Sequence, residues 1–155
     1  MSEKAYLPPD GQVLTPYLCC REAANAIEWY GEVFGARLRE DPFVGPDGRI
    51  GHAVIEIDGA PIMLSDGYTE AGVEAPVQDR LPTYAMNLYV PDVDATTAAA
   101  EREGATVESP PADAFHGARA ATILDPFGIR WMLATQQRQV SDADYQAARA
   151  DFAGS

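Results

Sequence analysis

The order of elements in this chain occurs twice, the second copy following the first at an offset of about 69 residues. In the first copy, residues 13–20 are a short β-prone run. Residues 21–34 then carry Ala23, Ala26, Ile27, Tyr30 and Phe34 at helical spacing, with Gly35 as the stop. Residues 37–43 alternate weakly as a second strand, and Gly45-Pro46-Asp47-Gly48 marks a turn into residues 50–57. Asp58-Gly59 is a two-residue hairpin signature, and residues 60–65 form the return strand. In the second copy, residues 83–90 are a strand, residues 93–103 an alanine-rich helix stopped by Gly104, and residues 105–108 a short strand leading into Pro110-Pro111. Residues 117–124, the turn Asp125-Pro126-Phe127-Gly128 and residues 129–135 complete it. Gly35-Ala36 recurs as Gly104-Ala105 and Met63-Leu64 as Met132-Leu133, each pair 69 residues apart.

This order predicts an α+β fold in one domain over residues 1–155, built from two βαβββ modules at 13–65 and 83–135. Residues 66–82 are rich in Gly, Pro and acids and lack periodicity, which predicts a linker or an ordered loop. A C-terminal helix is expected over 141–152. Ser141 and Asp144 stand at capping-box spacing there, and Tyr145, Ala148 and Phe152 form one stripe for docking on the body or on a partner.

Charge narrows the partners. Eleven basic residues against 24 acidic ones leave a net charge of −13, which repels phosphate backbones and anionic lipid surfaces. Nucleic acid and membrane are therefore excluded as partners. The one lysine, Lys4, sits in the N-terminal tail, so Schiff-base chemistry is set aside. No apolar run reads as a signal peptide or a membrane span, and a cytoplasmic location is expected. The only cysteines, Cys19 and Cys20, are adjacent, fitting neither a disulfide framework nor a spaced zinc site. On a strand they face opposite ways, one into the core and one into whatever the other face encloses.

The repeated modules, with "AIEWYGEVFGA" after the first strand, "LYVPDVDA" opening the second module and "FHGARAATILDPFGIRWML" closing it, resemble the vicinal oxygen chelate superfamily. The likeness is to its small glyoxalase/bleomycin-resistance-like or PhnB-like members, over about residues 13–135. It implies mixed sheets that curl into a cup, completion as a homodimer, and a small-molecule ligand inside the cup. Many members hold a divalent metal with His and Glu from the first and last strands of both modules. Here those positions fall on Thr15, Met63, Ala85 and Met132, none of which is a ligand for such a metal. No metal and no other cofactor is expected.

The same resemblance, with strand alternation, puts Thr15, Tyr17, Cys19, Met63, Ala85, Asn87, Tyr89, Arg130 and Met132 on the inward face. Such a lining suits a ligand pocket, and equally a small filled core. His52 and His116 stand at a strand start and at a strand junction, read as structural or rim residues ahead of catalytic ones. Superposing the modules through Asp58 and Asp125 makes Arg119 the counterpart of His52 on an equivalent strand, where its guanidinium holds either a ligand carboxylate or phosphate, or a neighbouring acid. Trp29, Tyr30 and Phe34 read as packing residues, and Asp92 and Asp94 as helix N-terminal acids.

Three functions remain. The favoured one is a metal-free binding protein for an aromatic or cationic, antibiotic-like molecule. The ligand set is then Thr15, Tyr17, Cys19, His52, Met63, Asn87, Tyr89, His116, Arg119 and Met132. The second is an enzyme using His52 and Tyr17 as acid/base groups. The third is a divergent metalloenzyme drawing on His52, His116 and Glu56.

Overall fold

A computed structural model describes residues 6–9 and 11–154, and Lys4 lies outside them. The chain divides into two compact units, residues 1–77 and 78–155, the boundary falling inside the segment expected to link the modules. The fold is mixed α+β, as the repeat implies.

In the first unit β1 (Tyr17–Cys19) leads into α1 (Ala23–Phe34), then β2 (Arg37–Leu38), β3 (Phe43–Val44), β4 (Ile50–Ile57) and β5 (Ala60–Ser65). The sheet runs β1-β5-β4-β2, with β1 parallel to β5 and the other pairs antiparallel; β3 also pairs with β4. The strand expected over 37–43 is thus two short ones, and Pro42 explains the break. It has no N–H for a ladder, and it restricts the residue before it. Leu18, Ala53, Ile55, Ile57, Ile62 and Leu64 alternate onto one face and are buried, as are Ala23, Ala26, Trp29, Tyr30 and Val33 of α1, which packs against β4. Burying each Leu or Ile of that set stabilises the unit by about 1.5–3 kcal/mol. Glu22 makes no side-chain cap at the start of α1. The carboxylate of Asp66 does so from beyond β5, accepting from Ala23 N–H at 2.8 Å and from Ile50 N–H at 2.7 Å.

The second unit repeats the plan with β6 (Ala85–Tyr89), α2 (Val93–Arg102), β7 (Thr106–Asp113), β8 (Ala118–Leu124) and β9 (Arg130–Gln136). Its sheet runs β6-β9-β8-β7, and β6 is parallel to β9. Ala121, Ile123, Trp131 and Leu133 alternate onto the buried face with Val93, Thr97 and Ala100 of α2. β7 does not stop before Pro110 and Pro111 as expected but runs through them. It is an edge strand with register shifts around Ser109, where a missing N–H costs no ladder bond. Asp125 anchors the last hairpin. Its buried carboxylate accepts from the N–H groups of Phe127 and Ile129 and from Trp131 Nε1–H, each at 2.9 Å. The C-terminal helix α3 (Asp142–Ala153) begins with the Ser141–Asp144 capping box. Among the described residues no helix is long and apolar enough to cross a membrane.

Candidate functional site

Register decides which side chains share the face turned away from each helix. In the first sheet Tyr17 lies opposite Met63, and Met63 opposite Val54. With the two-residue period, Tyr17, Cys19, His52, Val54, Glu56, Met63 and Ser65 therefore occupy one open face. Tyr17 Oη lies 3.1 Å from His52 Nδ1 and 3.4 Å from the carbonyl oxygen of Gly51, which it can reach as donor. Its ring lies 5.7 Å from the imidazole, and Phe43 lies 6.2 Å from the imidazole. The carbonyl only accepts, so the phenolic proton has two arrangements. Donated to Gly51, it requires a proton on His52 Nδ1; donated to His52, it leaves the imidazole proton on Nε2. Passing from the first to the second takes both a turn of the phenolic O–H and a change of imidazole tautomer, from Nδ1–H to Nε2–H.

Beside this pair is a cavity of about 460 Å³ lined by Tyr17, Gly51, Ser65, Tyr68, Ala71 and Val73. Its far wall is the segment after β5, which is ordered. Tyr68 and Val73 exchange backbone hydrogen bonds of 2.7 and 3.0 Å around a short 3-10 turn, Thr69–Ala71. Arg49 clamps that wall. Its guanidinium lies 4.0 Å from the Tyr68 ring centre and donates to Gly67 O (3.0 Å), Asp47 (2.7 Å) and Glu70 (2.6 Å). Those bonds hold the Asp47 and Glu70 carboxyls below the usual carboxylate range. Cys19 is half-buried on the open face; burial, then the negative charge of Asp66, pushes its thiol up. Cys20 is fully buried, as adjacent cysteines on a strand require.

In the second sheet Asn87 lies opposite Met132, and Met132 opposite Thr122. Ala85, Asn87, Tyr89, Arg130 and Met132 thus share its open face, with Tyr89 61% and Met132 49% exposed. Arg130 is occupied there by a two-pronged bond to Glu108 of 2.6 and 2.9 Å.

β8 is the strand equivalent to β4, but by register Arg119 is not the counterpart of His52. It pairs with Thr135 in the β8–β9 ladder and so lies on the helix side of its sheet, its guanidinium bonded to Asp94 at 2.6 and 2.9 Å and to Asp113 at 3.3 Å. The hairpins explain the slip. Four residues separate Glu56 from its partner Pro61, whereas five separate Leu124 from Arg130. The equivalent of His52 is therefore Ala120, and a one-residue shift turns Arg119 to the opposite face. His116 lies in the β7–β8 turn, half-buried, its ring 5.3 Å from Phe115. Thr15 precedes β1 and is half-buried. Sequence reading missed Arg49, Ser65, Tyr68 and Val73, the last two because an aperiodic segment carries no face assignment.

The metal fit fails on chemistry. Thr15, Met63, Ala85 and Met132 offer a hydroxyl, two thioethers and a methyl, and Glu56 is taken by Arg39 at 2.9 Å. Among the described residues no three His, Cys, Asp or Glu side chains are grouped to hold an ion.

Residues 12–133 match the sequence model of the Glyoxalase/Bleomycin resistance protein/Dioxygenase superfamily. An uncharacterised protein of Mycobacterium bovis is 36% identical over 139 residues, covering 87% of this chain and 90% of its own. Among solved structures, TioX from Micromonospora sp. ML1 is similar at 24% identity and a TM-score of 0.59, covering 81% of this chain and 99% of its own. The fosfomycin resistance protein FosX from Mesorhizobium loti is similar at 11% identity and a TM-score of 0.59, covering 87% and 97%. At those identities the two structures speak to fold alone.

Proposed function

This chain belongs to the Glyoxalase/Bleomycin resistance protein/Dioxygenase superfamily, and from that premise we propose that it is a metal-free binding protein holding an aromatic or cationic small molecule in the first-unit cleft. The observation that carries the reading is the Tyr17–His52 pair at the edge of a cavity of about 460 Å³ with largely apolar walls. The volume suits a small organic ligand, the rings of Tyr17 and Tyr68 supply contact area, and the phenol–imidazole pair sets orientation. The protein works as a cytoplasmic homodimer, and the net charge of −13 raises the local concentration of cationic ligands. Sequestering an antibiotic-like compound is the role in which such a protein needs no chemistry.

A thermal-shift screen of aromatic and cationic natural products tests this. A ligand at about 100 times its dissociation constant stabilises by roughly 2.7 kcal/mol. Tyr17→Phe keeps the ring, removes the hydroxyl, and should cost polar hits about 1 kcal/mol of binding. A screen without hits, or stoichiometric metal in protein purified without chelator, sinks the reading.

The 3.1 Å contact between Tyr17 Oη and His52 Nδ1 also favours a second reading, an enzyme in which this pair moves a substrate proton. Hits recovered chemically unchanged after long incubation support the binder, and hits converted to product support the enzyme.

A further inference from the structure

Helix α3 is firmly started yet has no buried residue. Ser141 Oγ accepts from Asp144 N–H at 3.2 Å, and the Asp144 carboxylate accepts from Ser141 Oγ–H at 2.7 Å. Tyr145, Ala148 and Phe152 share one face of it by spacing. Gly117 brings that face against the β7–β8 turn. Its carbonyl accepts from Gln137 N–H at 3.0 Å and Arg138 N–H at 3.1 Å, and a Cβ there would lie 2.4 Å from Arg138 O at a φ of +81°. Only glycine admits this close passage. The chain beyond β9 is thereby pinned beside Phe115, whose ring meets that of Tyr145 at 5.9 Å with the planes at 66°. Phe115, Tyr145, Ala148, Arg149, Asp151 and Phe152 line a groove of about 820 Å³.

We propose that this groove is a second binding site, for a small quaternary ammonium ion of the choline type. Two rings crossing steeply around one space form walls of an aromatic cage, and ring faces attract a cation that is weakly hydrated. Phe115 is 59% and Tyr145 48% exposed, so part of each ring lies open to a ligand. Asp151 supplies a counter-charge and Arg149 opposes it locally, which leaves the choice of sign to the ring faces and to the −13 charge of the chain. The groove lies wholly within the second unit and shares no residue with the Tyr17–His52 cleft.

Calorimetric titration of the full chain with choline and with 3,3-dimethylbutan-1-ol, its neutral carbon isostere, tests the proposal. Choline should bind about fivefold more tightly than the alcohol, and its affinity should fall as salt rises. Tyr145→Ala and Phe115→Ala should abolish the preference, Asp151→Asn should weaken choline, and Arg149→Ala should tighten it. All four positions are exposed, and unchanged circular dichroism and melting would establish that the variants fold. Equal affinity for the two compounds, binding of neither, or loss of choline binding in Arg149→Ala would overturn the proposal, the last by identifying an anion site.

Discussion

Cys19 and Cys20 are neighbours in sequence with opposite environments, and their chemistry should differ accordingly. Burial and the Asp66 carboxylate both disfavour the Cys19 thiolate, so its pKa is raised and the reactive form is scarce at neutral pH. Iodoacetamide at pH 8 should label Cys19 more slowly than it labels glutathione, and Cys20 not at all while the protein is folded; mass spectrometry after timed quenching reads both. Labelling of Cys19 at the glutathione rate would mean that the open face is more hydrated than described. Much of this face was legible, since the family resemblance taken with the strand period places Tyr17, Cys19 and Met63 together, and Asn87 with Met132. The Tyr17–His52 contact was legible only as a list of candidates, because it joins strands 35 residues apart in sequence. Arg119 was misplaced for a concrete reason: a motif alignment through turn aspartates does not see that one hairpin loop is a residue longer.

Helix limits were readable because their stops and caps are local chemistry. Gly35, Gly104 and the Ser141–Asp144 box each fix an end within a residue or two of the expected one. Strand limits were not, since a strand ends where its partner does. β1 keeps three of the eight residues expected, and β7 gains length from pairing with β8 across two prolines. In the last hairpin one side chain, Asp125, adds three hydrogen bonds to those of the backbone. Asp125→Ala should leave the N–H groups of Phe127, Ile129 and Trp131 Nε1 short of an acceptor in a buried place, for a loss of about 3–5 kcal/mol. Trp131→Phe should cost less than Asp125→Ala, since it removes one donor and a modest volume. Urea denaturation that ranked them the other way would assign the stability to packing volume.

Each unit leaves large apolar side chains uncovered: Tyr17, Phe43 and Val44 in the first, Tyr84, Tyr89 and Met132 in the second. Exposed apolar surface of that extent is typical of chains that associate, and closed two-fold pairs are the commonest association. Light scattering should therefore give about twice 16.7 kDa at micromolar concentration. Tyr89→Glu or Phe43→Glu should shift the mass toward the monomer; a monomeric parent would sink the homodimer. The buried tryptophans have a use in such work. Trp29 lies in the helix of the first unit and Trp131 in the last strand of the second, and the chain has no other. Each half therefore carries its own fluorophore. Emission from Trp29→Phe follows the second half alone, and emission from Trp131→Phe the first, so two single-colour melting curves report whether the duplicated halves lose structure in one step or in succession.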